Sequence, residues 1–225
     1  MVGGRLDTRQ GKARDSYSAA VATTAVTPGA LLDLALDAFA DGGFDGTSVR
    51  ELCRQLGVSH NLVHERYGSK EQLWYAAIDH GFRRLAADLA AAALAGAPDG
   101  DEIEALRAIL VRYVEVTAER PALIRIINQE AARPGGRLDH VYEQYIRPAH
   151  EVADAVLRSL ESQGRARRIS PAALHFLVGH GAGGIVSLPA LASKFPGDHG
   201  SLTDQAREAV DVVLRGIVVD GPDPS

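Results

Sequence analysis

The 225-residue chain has few of the residues on which several classes of protein depend. It contains one cysteine, Cys53, so an intramolecular disulfide is excluded. Aromatic residues make up 5% of the sequence, and the alternation of apolar and polar residues that is typical of strands is nearly absent. No apolar run reaches the roughly 18 residues that indicate a membrane-spanning helix, and no segment has the form of a signal peptide. These absences predict an all-α, cytoplasmic protein that does not bind a membrane.

The net charge of −5 argues against a protein that is basic over its whole surface. Basic residues are instead concentrated in two regions, an N-terminal group and a group between residues 50 and 70. Their members are Arg5, Arg9, Lys12 and Arg14, and then Arg50, Arg54, Arg66 and Lys70. Residues 1–27 are rich in Gly, Ala, Thr and Arg without any period, which predicts a disordered basic tail that could reach DNA phosphates.

Residues 47–73 have the pattern of two short amphipathic helices joined by a tight turn, with a third helix directly afterwards. One apolar stripe on the first helix consists of Val49, Leu52, Cys53 and Leu56, spaced i, i+3, i+4 and i+7. Thr47 or Ser48 marks the start of this helix, and Gly57 ends it because glycine adopts a left-handed conformation at little cost. The pattern predicts a helix-turn-helix with Cys53 in its core.

Capping residues predict where the next two helices begin. Ser59 is the expected N-cap of the second helix, in which Val63 and Tyr67 share one face. Ser69 is the expected N-cap of the third, with Gln72 completing a capping box as Glu51 would for Ser48. Lys70 then lies in the first turn, where its charge opposes the helix dipole, and a nearby phosphate would account for that placement.

The segment LDLALDAFADGGFDGTSVRELCRQLGVSHNLVHERYGSKEQL resembles a pattern of the tetracycline-repressor (TetR/AcrR) family, ALxLFxxxGxxxTTVxxIAxxAGVSxGxLYxHFxSKEEL. The chain departs from it at Asn61, where the family has glycine, at His64, where it has a phosphate-contacting tyrosine, and at Arg66, where it has histidine. The resemblance implies an N-terminal three-helix helix-turn-helix DNA-binding domain, residues 28–73. It also implies a larger C-terminal helical ligand-binding and dimerisation domain, residues 74–219, with a frayed end at 220–225.

The resemblance further implies a transcriptional regulator, and we expect a repressor that binds a palindromic operator in double-stranded DNA as a homodimer and is released by a small-molecule effector. The candidate DNA contacts surround the second short helix and are Thr47, Ser48, Val49, Ser59, His60, Asn61, Leu62, His64, Arg66 and Lys70. Asn61 could read adenine, Leu62 a thymine methyl group and His60 a base edge. Ser48, His64 and Lys70 would contact phosphates.

Breakers and caps divide the remainder into further helices. The predicted helices run from Ser69 to about Ala95, from Asp101 to about Glu119, from Pro121 to the ARPGG segment, from Leu138 to Ser162 with a kink at Pro148, from Pro171 to about Ser187, and from about Leu202 to Val219. The family architecture places a pocket between helices near 75–95, 103–118 and 138–160. Its candidate lining residues are Tyr113, Asn128, Tyr142, Tyr145 and His175, and His140, His150 and His180 are expected to be structural or pocket-lining. No cofactor or metal is expected.

Two features of the last helices support the implied homodimer. Gly179, Gly181, Gly183 and Gly184, with Ala182, place small residues along one helix, so that another helix could approach closely. Val210, Val213, Leu214 and Ile217 give the final helix an apolar stripe, and a long exposed stripe usually finds a partner.

Two glycine-rich motifs and a histidine pair are also found in other functional classes. GHGAGG at 179–184 matches G-x-G-x-x-G, but Ser170 and Pro171 predict a helix before it where a dinucleotide site needs a strand. HGAGG also hints at an esterase oxyanion loop, yet no G-x-S-x-G elbow is present. His60 and His64 have metal-ligand spacing without a third ligand. We therefore expect no enzyme, and the remaining alternative is a helical ligand-sensing or protein-interaction domain that does not bind DNA.

Overall fold

The computed structural model describes residues 27–195 and 200–219. Across these ranges all regular structure is helical, apart from an isolated bridge between Ala166 and Val218, so the all-α prediction is confirmed. None of the described helices has the length and apolar character needed to cross a membrane. The predictions for residues 1–26 and 220–225 lie outside the described residues. Thr27, which was assigned to the tail, instead caps the first helix by accepting a bond from the Ala30 N–H at 3.2 Å.

The described chain forms a succession of helices joined by short connections. Their bounds are α1 Pro28–Gly46, α2 Val49–Leu56, α3 His60–Tyr67, α4 Lys70–Gly96, α5 Glu102–Glu119, α6 Ala122–Ala131, α7 Gly136–Val141, α8 Arg147–Ser162, α9 Pro171–Phe176, α10 Gly183–Ser187, α11 Pro189–Ala192 and α12 Leu202–Ile217. Two π-helical segments, Tyr142–Ile146 and Leu177–Ala182, connect α7 to α8 and α9 to α10 without a break.

The irregularity in the long α7–α8 helix lies before Pro148 and not at it. Pro148 occupies the first turn of α8 and has no N–H to donate to the preceding turn. One residue earlier, the Arg147 N–H donates to the carbonyl of Tyr142, five positions back, as in a π-helix. A π-helical turn thus directly precedes Pro148 in the helix for which a kink was predicted.

The first hydrophobic core joins the helix-turn-helix to the helices that follow it. Phe39 of α1, Leu52 of α2 and Val63 of α3 are buried against Trp74 and Ile78 of α4. The same cluster includes Ala122, Ile126 and Val141 from α6 and α7. A shift of α6 or α7 would thus displace residues of the first four helices, because a close-packed core transmits displacement.

A second core lies between α5, α8, the α9–α10 helix and α12. Val210, Leu214 and Ile217 of α12 are buried in it together with Val114 of α5 and Leu160 of α8. The apolar stripe of the final helix is therefore buried against other helices of the same chain. The expectation that this stripe is exposed and pairs with another copy is wrong.

Candidate nucleic-acid interface and small-molecule cavity

Local hydrogen bonds fix the angle between α2 and α3. The Ser48 hydroxyl accepts from the Glu51 N–H at 3.4 Å and caps α2. Gly57 has φ = 65°, the left-handed conformation, which lets the Val58 N–H donate to the Cys53 carbonyl at 3.0 Å. Ser59 then caps α3 by accepting from the Leu62 N–H at 3.1 Å. The predicted helix, turn and helix are all present.

The second helix, α3, buries very little of itself. Val63 is its buried residue, at 5% exposure, and Tyr67 is half-buried on the same side. Its exposed side chains are His60, Asn61, Leu62, His64, Glu65 and Arg66. Leu62 is apolar and 48% exposed, so it is available for an apolar contact with a partner. The helix is anchored by Val63, Tyr67 and its cap, and nearly all of its outer surface is accessible for contact.

Lys70 lies beside α3 at the start of α4, which Ser69 caps by accepting from the Gln72 N–H at 3.1 Å. Its Nζ donates to the carbonyl of Asp45 at 3.2 Å and lies 4.8 Å from the centre of the Phe44 ring. These contacts hold the ammonium in place without a phosphate, although it remains partly exposed. A shallow depression between α3 and α4 is lined by Val49, His60, Val63, His64, Gly68, Ser69 and Lys70.

Thr47 does not belong to the exposed surface, and its predicted contact with DNA is wrong. Its side chain is 7% exposed, and its hydroxyl lies 2.7 Å from the Gly43 carbonyl and 3.0 Å from the Ala38 carbonyl. These bonds fasten the start of α2 to the end of α1, where Gly43 leaves the helical conformation at φ = 67°. Val49 is half-buried and packs against the first core while it lines the depression.

Charges around α2 and α3 differ in whether a protein partner neutralises them. Glu51 accepts from Arg54 at 2.8 Å and from Gln55 at 3.1 Å, so the predicted capping box with Ser48 is not closed. The bond from Arg54 holds the pKa of the Glu51 carboxyl below its usual value.

Arg50 and Arg66 are exposed and form no ion pair within the described part of the chain. Arg50 was not among the predicted DNA contacts. Its position in the first turn of α2, close in sequence to the predicted contact Ser48, was a signal for including it.

His60 and His64 stack with ring centres 6.5 Å apart on the exposed side of α3. In the ranges that the structure describes, no cluster of three potential ligands that could hold a metal ion occurs. The two rings thus add to the polar surface of α3 and lack the third ligand that a zinc site needs.

A cavity of about 290 Å³ lies in the C-terminal part, between α4, α5 and α8, where the family resemblance implied a pocket, and α6 and α9 also contribute to its wall. Most of its wall is aliphatic or aromatic, including Phe82, Leu89 and Ile127. Tyr113, Tyr145 and His175 line it as predicted, and His150 and His180 line it too. Asn128 and Tyr142 are exposed and lie outside its wall, so their placement in the pocket is wrong.

The cavity wall is bonded to α4 through Asp79. Its Oδ1 accepts from the Tyr145 hydroxyl at 2.6 Å and lies 2.8 Å from Nε2 of His140. Burial and the adjacent Asp79 carboxylate raise the pKa of Tyr145, so the phenol stays protonated and remains a donor. The ring of His140 lies 4.6 Å from that of Tyr75, also on α4. The helix that begins at Lys70 is thus tied to a residue that faces the cavity.

The GHGAGG segment is helical, and no strand precedes it within the described residues, so the dinucleotide-site interpretation is wrong. Its glycines allow a close approach within the chain. A Cβ on Gly183 would lie 3.2 Å from the Val178 carbonyl and 3.5 Å from the Tyr113 ring, and one on Gly179 would lie 3.6 Å from the Tyr113 hydroxyl. By contrast, a Cβ on Gly181 or Gly184 would meet nothing within 4 Å.

A capped α2 packed on the core, a left-handed glycine turn and an exposed α3 define a helix-turn-helix domain, the class that places its second helix in the major groove of DNA. The model of the family described as "Bacterial regulatory proteins, tetR family" matches residues 31–77. The HTH-type transcriptional regulator BetI of Rhizobium meliloti (strain 1021) is 35% identical over 104 residues, which are 46% of this chain and 51% of that protein. The chain thus spans about half the length of this relative.

Solved structures extend the likeness in fold over most of the chain. A regulatory protein of the tetR family from Rhodococcus RHA1 matches with a TM-score of 0.61 and 21% identity, over 85% of this chain and 98% of that one. The ketosteroid transcriptional regulator KstR2 of Mycobacterium tuberculosis matches with a TM-score of 0.57 and 19% identity, over 85% and 95%. The family model thus matches the helix-turn-helix and the start of α4, and the solved structures show that most of the chain has a similar fold. The matching family model and the relative are both named as regulators.

Proposed function

We propose that the protein is a ligand-responsive transcriptional regulator that binds a palindromic operator as a homodimer and releases it when a small molecule enters the cavity. The observation that carries this proposal is the exposure of α3. This capped helix buries Val63 and exposes most of its polar side chains together with Leu62. A helix of these dimensions fits the major groove, which is about 12 Å wide. The match to BetI, which is named as a transcriptional regulator, supports the same function.

The side chains of α3 suit different parts of the DNA. Asn61 can pair with both N6 and N7 of adenine, Leu62 can contact a thymine methyl group, and His60 can reach a base edge. Phosphate contacts are assigned to the groups at the rim, namely Ser48, Ser59, His64, Arg66 and Lys70, to which we add Arg50. Arg50 and Arg66 suit this role because no carboxylate among the described residues neutralises them.

The homodimer is assigned to the outer faces of the α9–α10 helix and α12. Phe176 is 62% exposed and Val212 is 58% exposed, and Leu177 is exposed beside Phe176. Gly181 and Gly184 leave open space on the same helix as Phe176. Contact between these faces in two copies would cover apolar surface, and two-fold symmetry would set the two α3 helices about 34 Å apart along DNA.

Release by a ligand is assigned to the bond between Tyr145 and Asp79. A molecule that fills the cavity would move Tyr145, and that movement would reach α4 because Asp79 accepts from the phenol. Since Lys70 begins the same helix, a rotation of α4 would change the spacing of the two α3 helices in the dimer. The dimer then has two conformations that differ in the distance between the α3 helices. A ligand shifts the equilibrium between them only if it binds the two conformations with unequal affinity.

The function is tested with fluorescent duplexes that tile the DNA upstream of the protein's own coding sequence. We expect one duplex with an inverted repeat to bind at least about 100-fold more tightly than a shuffled duplex of equal composition. Equal affinity for all duplexes would contradict operator binding and favour the alternative, a helical ligand-sensing or protein-interaction domain that does not bind DNA.

A further inference from the structure

Three histidines form a cluster at one end of the cavity. His150 comes from α8, His175 from α9 and His180 from the π-helical segment that follows, and all three line the cavity. The ring centres of His150 and His175 are 5.0 Å apart, and those of His175 and His180 are 6.0 Å apart. Three helical segments thus converge to place imidazoles on one patch of a mostly apolar wall.

These imidazoles have no hydrogen-bond partner among the described residues. The Nε2 atom of His150 is shielded from solvent and unpaired, which is unusual because buried polar atoms are nearly always hydrogen-bonded. The lining contains no Asp, Glu, Lys or Arg. The titratable groups that face the cluster are Tyr113 from α5 and, further along the wall, Tyr145. Nε2 of His150 is therefore left without a partner, and no charged side chain in the cavity wall pairs with the three rings, of which His180 is also exposed to solvent.

Protonation of the cluster is disfavoured while the cavity holds no charge. Burial lowers the pKa of His175 below its ordinary value of 6.5, and His150 and His180 lower it further. A neutral imidazole carries one N–H donor and one nitrogen acceptor. An anion beside the rings would reverse this preference, because an opposite charge favours the protonated form.

As a refinement of the proposed function, on whose ligand-binding cavity it rests, we propose that the effector is a small amphiphile with an apolar body and one carboxylic acid group, and that the acid binds at His150, His175 and His180. The two oxygens of a carboxylate offer about four acceptor sites, enough for several imidazole N–H groups at once. A hydroxyl group has too few sites to serve three rings. An ammonium group would be buried without any carboxylate to pair with.

Binding of the acid is coupled to uptake of one proton. A carboxylate leaves water and enters the cavity, and a proton from solvent joins one imidazole, so the bound pair is neutral. The imidazole pKa in the complex then exceeds that in the free protein, which lies below 6.5 for His175. Affinity for the carboxylate therefore falls as pH rises between those two values, by up to about tenfold per pH unit.

The test compares three probes with the same alkyl chain, decanoate, decanol and decylamine, by isothermal titration calorimetry of the full-length protein. We expect decanoate to bind at least about tenfold more tightly than either other probe at about pH 6.5, with weaker binding at about pH 8. Measurements in two buffers of different ionisation enthalpy should give uptake of up to one proton. Binding of decanol as tight as that of decanoate, absence of proton uptake, or no binding of any probe would overturn the inference.

Variants assign the effect to the cluster. H150L and H175L should lose the preference for decanoate over decanol, whereas Y142F, at an exposed position outside the cavity, should keep it. H150Q, which retains hydrogen-bonding groups of similar size, guards against a folding defect and should weaken proton uptake without abolishing decanol binding. Unchanged decanoate binding in all cluster variants would contradict the site. Operator binding without ligand is measured separately, so its failure would count against the proposed function and not against the acid site.

Discussion

Tyr145 joins the cavity to α4 by two contacts made by one side chain. Its hydroxyl donates to Oδ1 of Asp79 at 2.6 Å, and its ring stacks on Phe82 with centres 4.1 Å apart. Tyr145 also lines the cavity, and Lys70 lies at the start of the helix that carries Asp79. These contacts give a physical path along which a ligand could act on the helix-turn-helix.

The variant Y145F removes the hydroxyl and keeps the stacked ring. Loss of a hydrogen bond to a charged carboxylate should lower the free energy of unfolding by about 1.5–3 kcal/mol. Ligand should still bind, but it should change operator affinity less than in the parent protein, as measured by anisotropy titrations with and without ligand. Y142F, at an exposed position outside the cavity, is the matched control. Unchanged ligand response in Y145F would contradict this path.

The variant T47V tests whether Thr47 acts on structure or on DNA. Replacing the hydroxyl by a methyl group deprives the Gly43 and Ala38 carbonyls of their side-chain donor, which should cost about 1–2 kcal/mol in urea unfolding. T47S retains the hydroxyl and should lie closer to the parent. The salt dependence of DNA binding should stay the same in the folded protein. A shallower salt dependence with normal stability would instead show a phosphate contact.

The variant F176D tests the dimer face. A charge on the outer surface of α9 should raise the dimer dissociation constant at least about tenfold, or about 1.4 kcal/mol, since a buried unpaired charge is unfavourable. Analytical ultracentrifugation over a range of concentrations measures this. L94D, at a position on α4 that is 79% exposed, should remain as dimeric as the parent. Equal weakening by both variants would show that the face is assigned wrongly.

Acidification should destabilise the ligand-free protein through His175. Because its folded-state pKa lies below 6.5, the unfolded chain binds more protons at low pH. Stability therefore rises with pH through the interval between the folded pKa and 6.5, and it is lost as pH falls through that interval. Thermal unfolding from about pH 7 to about pH 5 should show a smaller decrease in melting temperature for H175L than for the parent protein. An equal decrease in both would contradict the role of His175.

The helix boundaries were predictable because they depend on nearby residues. Ser48, Gly57, Ser59 and Ser69 each act within four positions of themselves, through a cap or a left-handed turn. The burial of α12 was not predictable in the same way. An apolar stripe containing Val210 shows that a partner exists, but not whether the partner is in the same chain or in another.

The exposed surface of α3 was predicted better than the cavity lining. The exposed side of α3 follows from one apolar position, Val63, on a short helix, whereas Thr47 looks polar in sequence and is buried by contacts with α1. In the cavity, the π-helical segment that begins at Tyr142 changes the register of the long helix. Tyr145 consequently faces the cavity and Tyr142 faces solvent, a difference that depends on a backbone irregularity that helical periodicity does not reveal.

The central claim, that α3 reads DNA while the rim of the domain holds phosphates, is tested most directly by the salt dependence of operator binding in K70A and N61A. R168A, an exposed arginine far along the chain from α3, serves as the control. We predict that K70A weakens binding to operator and non-operator duplexes alike and reduces the slope of log K against log[salt] by about 1. N61A should retain the slope and lose about 1–3 kcal/mol of discrimination between duplexes that differ at one adenine. The reverse pattern, with N61A changing the slope and K70A changing sequence preference, would contradict the account.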